Sequence, residues 1–207
     1  MTPPTERERR FAEHLASLAD REDSDARAVL AALRRALGKE PGEAAEAARY
    51  IFPWLRDDAR PTEIGAFFEI AALFATHRLT WRRGESDRGL NMGGSFRRLI
   101  ADEENPGAER RFVALLNAHS DELNRHLRHA VSLLKSKEIS IDWAQLLHDV
   151  QQWTYEDVQQ WTYEDRPVQL DWARAFWGSG PTRDETDVSS GDLGTSSTVS
   201  QPPAVTA

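Results

Sequence analysis

The sequence predicts an all-α protein: two small helical bundles packed into an elongated molecule. Three observations carry this. Apolar residues recur at three- and four-residue spacing through residues 11–177, no stretch there sustains a period of two, and Gly, Pro and Asn/Asp clusters cut the chain into segments of helical length.

The elements follow in order. Phe11 to Leu18 is a short apolar-periodic helix. Asp25 can cap a second, with Ala26, Val29, Leu30, Leu33 and Leu37 as its inner face. Gly38 ends it and Pro41-Gly42 marks a turn. Glu43 to Tyr50 is Ala-rich and strongly helical, and Pro53 interrupts it. Thr62 can cap a core helix from Glu63 to Leu79, whose apolar face holds Ile64, Phe67, Phe68, Ala71 and Leu79. Trp81 to Ser95 holds four glycines and three arginines in fifteen residues, which marks a loop, and Ser95 can cap a short helix from Phe96 to Ile100. After the turn Asn105-Pro106-Gly107 comes the longest helix, Ala108 to Leu134. Ile141-Asp142 opens a helix containing Trp143, Leu146, Leu147 and Val150. Pro167 breaks the polar stretch that follows, and Leu170 to Trp177 is a final amphipathic helix. The expected organisation is a disordered N-terminus over 1–10, an N-terminal bundle over 11–100 with the Arg/Gly-rich loop at 81–95, a C-terminal bundle over 101–177, and a disordered tail over 178–207. The tail is Gly, Ser, Thr and Pro with scattered acids, too poor in apolar surface to offset its ordering entropy.

Residues 150–165 are a tandem duplication: Val-Gln-Gln-Trp-Thr-Tyr-Glu-Asp occurs twice in succession. Eight residues advance a helix by about 80° beyond two turns, so the copies do not share a face. One Trp-Tyr pair is expected to pack and the other to be partly exposed.

Composition excludes several classes. The chain has no cysteine, hence no disulfide, thiolate metal site or cysteine nucleophile. No apolar run approaches a membrane span, and the N-terminus lacks the apolar region of a secretory signal, so an intracellular, cytoplasmic protein is the expectation. Formal net charge is −8, from 26 basic and 34 acidic residues, which argues against nucleic-acid binding by bulk attraction. Neither a metal nor another cofactor is expected. His126 and His129 lie three apart on a helix without further ligands at recognisable spacing, and His119 and His126 are expected to pack beside the apolar face. Gly89 to Gly94 lacks the strand before and the Gly-Lys-Ser/Thr after that a phosphate loop needs. No catalytic constellation emerges.

A basic stripe is the better signal. At about 100° per residue along Ala108–Leu134, Arg110, Arg111, Arg125, Arg128 and Lys135 fall within roughly 120° opposite the apolar sector. Such a ridge can span successive phosphates; an ordinary solvated face carries the same pattern. Arg82, Arg83 and Arg88 before the glycines, and Arg97 and Arg98 after them, add to it. Glycine backbone there would allow close approach to a sugar-phosphate chain, and Ser95 with the following N–H groups could meet a phosphate. No base-reading motif is present, so any contact should be to the backbone of the nucleic acid and independent of sequence.

Arg88-Gly-Leu-Asn-Met-Gly-Gly-Ser-Phe-Arg-Arg-Leu99 resembles the signature loop of the small subunit of the type I-E CRISPR surveillance complex, Cascade (the CasB family). Glu109 to Leu116, Leu123 to Arg128, Ile141 to Asp149 and Asp171 to Trp177 are similar to that family in the same order and spacing. The resemblance spans residues 10–177; the duplicated segment departs from the family pattern. It implies a non-catalytic, two-bundle subunit, stacked head to tail with a second copy of itself. The implied partners are the backbone and large subunits of the complex, the guide RNA, and the target and displaced DNA strands. A separate helicase-nuclease then degrades the DNA. A structural helical adaptor, its arginines paired with acidic partner surfaces, is the other reading of the same residues.

Overall fold

A computed structural model describes residues 1–21, 23–81, 90–101, 106–157 and 167–178. The described residues form nine α-helices: α1 (Glu6–Asp20), α2 (Ser24–Arg35), α3 (Ala45–Ile51), α4 (Pro61–Thr76), α5 (Met92–Ile100), α6 (Pro106–Leu116), α7 (Ser120–Ser136), α8 (Trp143–Asp157) and α9 (Pro167–Trp177). The all-α expectation holds. The one strand-like pairing among the described residues is a parallel bridge between Thr80 and Ile141.

Local chemistry sets the helix ends. Thr5 and Glu8 form a capping box at the start of α1. Asp23 caps α2 by accepting from the Ala26 N–H at 2.8 Å, so the cap lies two residues before Asp25. Gly38 adopts φ 79°, a left-handed turn after α2 that suits glycine. α4 begins at Pro61 rather than after Thr62, because a proline's missing N–H and fixed φ suit the first helical position. Pro167 likewise opens α9 instead of merely breaking what precedes it. α4 ends at Thr76, and Leu79, expected in its apolar face, is exposed.

Two differences from the sequence expectation matter more. The first is that Ala108–Leu134 is not one helix. α6 stops at Leu116 and α7 begins at Ser120, with His119 extended at φ −75°, ψ 161° as its N-cap. The break lets Phe112 and Leu115 of α6 and Leu123 and Leu127 of α7 all be buried while the two helices pack on each other. The second is that residues 1–10, expected to be disordered, are tied down. The Met1 amine lies 2.6 Å from the Asp171 carboxylate, Gln145 Nε2 donates to the Thr2 carbonyl at 2.9 Å, and Glu8 is buried.

Packing does not follow a boundary at residue 100. α1–α4 pack with α8, while α5 packs with α6, α7 and α9. Each bundle thus borrows a helix from the other half of the chain. α4 is apolar on nearly every side, buried from Ala66 through Ala75, and needs α8 as a cover; Phe74 meets Trp143 edge-on at 5.6 Å. Where the chain crosses, His77 Nε2 lies 2.7 Å from the Ile139 carbonyl and Trp81 N–H donates to the Ile141 carbonyl at 3.0 Å. A single apolar core runs through both bundles.

Candidate nucleic-acid interface

Asn91 starts α5 by accepting from the Gly94 N–H at 3.0 Å and holds α9 by donating to the Asp171 carbonyl at 3.1 Å. Gly93 and Gly94 are helical, not loop. A Cβ on Gly93 would sit 1.9 Å from the Trp172 carbonyl oxygen, so this glycine exists to let two helix backbones touch. It is therefore buried against α9 rather than open to a sugar-phosphate chain. Ser95 is completely buried and its hydroxyl donates to the Ser140 carbonyl at 3.3 Å; it is not placed to meet a phosphate.

The expected basic residues divide into groups. Arg82, Arg83 and Arg88 lie outside the described residues. Arg97 is exposed on α5 and donates to the Gly178 carbonyl, a neutral partner. Arg98 is half-buried and donates to Ser140 Oγ at 3.3 Å. Arg110 and Arg111 are exposed on α6, and among the described residues neither has an ion-pair partner. Arg125 is exposed on α7 and paired with Glu122 at 2.6 Å. Arg128 turns inward to Glu69 at 3.4 Å, a carboxylate whose side chain is 6% exposed. Lys135 is exposed in the last turn of α7, where a cation suits the helix dipole. The basic residues therefore do not form one straight ridge. They sit on three packed helices, and helical phase is lost at the break between α6 and α7.

Sequence reasoning missed a buried polar cluster joining α1, α8 and α9. His148 Nδ1 lies 3.1 Å from Glu8, whose other oxygen accepts from Gln151 at 2.7 Å. Asp149 accepts from Gln145 at 2.7 Å and from the Trp172 indole at 2.6 Å. Burial works to raise the Glu8 pKa, but hydrogen bonds from His148 and Thr5 outweigh it and hold the carboxyl below its ordinary range. The bond to Glu8 raises His148. Burial pushes Asp149 up to about 6 against the opposing hydrogen bonds from Trp172 and Gln145. The Thr5-x-x-Glu8 capping box was legible in the sequence; its partner 140 residues away was not. The histidines differ too: His119 is exposed and His126 half-buried, whereas His77 and His148 are the buried ones. Among the described residues no three histidine, aspartate or glutamate side chains gather as metal ligands, and no helix is long and apolar enough to cross a membrane.

Residues 29–177 match the family model described as CRISPR-associated protein Cse2. The chain is 33% identical over 161 residues to the CRISPR-associated protein Cse2 of Thermus thermophilus, an alignment covering 76% of this chain and 83% of that protein. The crystal structure of CasB from Thermus thermophilus superposes with a TM-score of 0.62 at 31% identity, over 86% of this chain and 100% of that one. A chain of a structure described as a CRISPR RNA-guided surveillance complex shares the fold with a TM-score of 0.65 at 24% identity, over 82% and 93% of the two chains. The chain belongs to the CRISPR-associated Cse2 family.

Proposed function

We propose that this chain is the small subunit of an RNA-guided CRISPR surveillance complex, that it catalyses no reaction itself, and that it steadies nucleic acid through contacts to the sugar-phosphate backbone. Two findings support the reading: membership of the Cse2 family, and a shared fold with a chain of a CRISPR RNA-guided surveillance complex. The observation that carries the nucleic-acid part is the pair Arg110 and Arg111, exposed and without an ion-pair partner among the described residues, on an acidic protein whose solubility does not need them. Arg97, Arg125 and Lys135 lie on helices packed with theirs, and Arg82, Arg83 and Arg88 precede α5 in sequence. Arg128 is assigned instead to the fold. The partners on this reading are the backbone and large subunits, a second copy of the chain, guide RNA, and the target and displaced DNA strands.

The test is an assembled complex carrying Arg110→Ala and Arg111→Ala, titrated with target DNA across a salt series. Two lost phosphate contacts should lower the salt slope of log affinity by roughly 2, equally for unrelated targets. Unchanged affinity and slope in a fully assembled complex would leave the adaptor reading, in which these arginines face acidic protein.

A further inference from the structure

Of the tryptophans among the described residues, Trp81, Trp143, Trp153 and Trp172 are buried and Trp54 is half-buried; Trp177 alone is exposed, with 50% of its surface open. It is nevertheless held firmly. Its ring meets Phe176 edge-on at 4.9 Å and Phe112 at 5.6 Å, and its indole N–H donates to Glu109 at 3.0 Å. Large aromatic surface fixed by its own neighbours and left open costs hydration without a compensating contact in the isolated chain.

Three arginines lie on or beside the helices that hold this ring. Arg174 stands one turn earlier on α9, 76% exposed. Arg97 is bonded to the carbonyl of Gly178, the next residue, and has no ion-pair partner among the described residues. Arg110 follows Glu109 on α6, with the exposed Val113 one turn on. Among the described residues of α6 and α9 the carboxylates are Glu109, bound to the indole, and Asp171, which lies 2.6 Å from the Met1 amine and 3.7 Å from Arg174. A half-open tryptophan, held by Phe112, Phe176 and Glu109 on helices that carry exposed arginines, matches a strand whose phosphates seek cations while its bases seek an aromatic plane.

We propose that Trp177 is a stacking platform for one unpaired base of single-stranded nucleic acid, with Arg97, Arg110 and Arg174 holding the flanking phosphates. This rests on the nucleic-acid reading above and adds to it a specific site and a preference for unpaired over duplex strands.

The experiment uses the full chain and two labelled strands of equal length and charge, an oligothymidylate and its abasic counterpart. Trp177→Ala should weaken oligothymidylate binding by roughly 5- to 150-fold, the range of one base–aromatic stack. Trp177→Phe should recover most of that, and the salt slope should stay unchanged. The abasic strand should bind wild type and both variants alike. An equal loss on both strands would mean that the tryptophan only supports the fold and would overturn the proposal. So would an unaltered oligothymidylate affinity, which would leave the face for a protein neighbour. Arg110→Ala reports separately: it should lower the salt slope on both strands. If it does not while Trp177→Ala still acts, the backbone reading fails and the stacking site stands. If wild type binds neither strand, both fall.

Discussion

Glu69 is 5% exposed on α4 and faces Arg128 across the junction of the two bundles. Burial pushes its pKa up to about 7, and the guanidinium at 3.4 Å only partly opposes this. Between the ordinary carboxyl range and about 7, the folded protein keeps a proton on Glu69 that the unfolded chain has released. Raising pH through that window favours unfolding, so the contribution is present at low pH and lost as pH climbs past the folded value. Glu69→Gln, which removes this titration, should therefore gain stability relative to wild type between about pH 5 and pH 8 in parallel thermal melts. Arg128→Ala should cost about 1–2 kcal/mol at pH 8, the buried-pair penalty reduced because Arg128 is partly solvated, and less at about pH 5. Melts in which both variants track wild type at the two pH values would show that the pair is not coupled to folding.

At the scale of elements, α5 and α9 approach backbone to backbone. Gly93 lets the α9 backbone approach so closely that an added methyl would meet a carbonyl oxygen, carbon and Cα of Trp172 within 2.9 Å. Backbone cannot swing aside as a side-chain end can. Gly93→Ala should thus destabilise the protein by about 3 kcal/mol or more, at the upper end of overpacking costs, although alanine is the better helix former. Gly65, with nothing near its Cβ position, is the control: on α4 the same substitution should be neutral or stabilising. Equal denaturation midpoints for the two variants would refute this account. Gly93 of the signature stretch is thus explained by helix packing.

For the whole molecule, the exchange of α5 and α8 between bundles has a thermodynamic consequence. The first bundle cannot be completed by a continuous stretch of chain, because α8, which covers α4, lies between α7 and α9 in sequence. Trp153 of α8 meets Trp172 of α9 with ring centroids 5.1 Å apart and planes tilted by 55°, and Asp149 is bonded to the same indole, so the bundles also share aromatic and polar contacts. Unfolding should be a single cooperative transition, with helical signal and tryptophan emission changing together, since the emitters include Trp143 in one bundle and Trp177 in the other. Two resolved transitions would mean that the shared core does not couple the bundles.

The sequence by itself determined the helical class, the approximate place of most helices, the absence of cysteine chemistry and, through residues 88–99 and 109–177, the family. These are local properties: the period of apolar residues, the caps and the turn residues act within a few positions of each other. Tertiary structure decided the rest. Gly93-Gly94-Ser95 reads as a loop until α9 is seen to lie against it. Arg128 reads as solvent-facing until Glu69, 59 residues away, is found beside it. The straight ridge was an extrapolation of helical phase across Asn117–His119, and phase is lost wherever one residue leaves helical geometry. What an individual arginine or glycine does here depends on neighbours brought close by folding, whose positions a periodicity cannot encode.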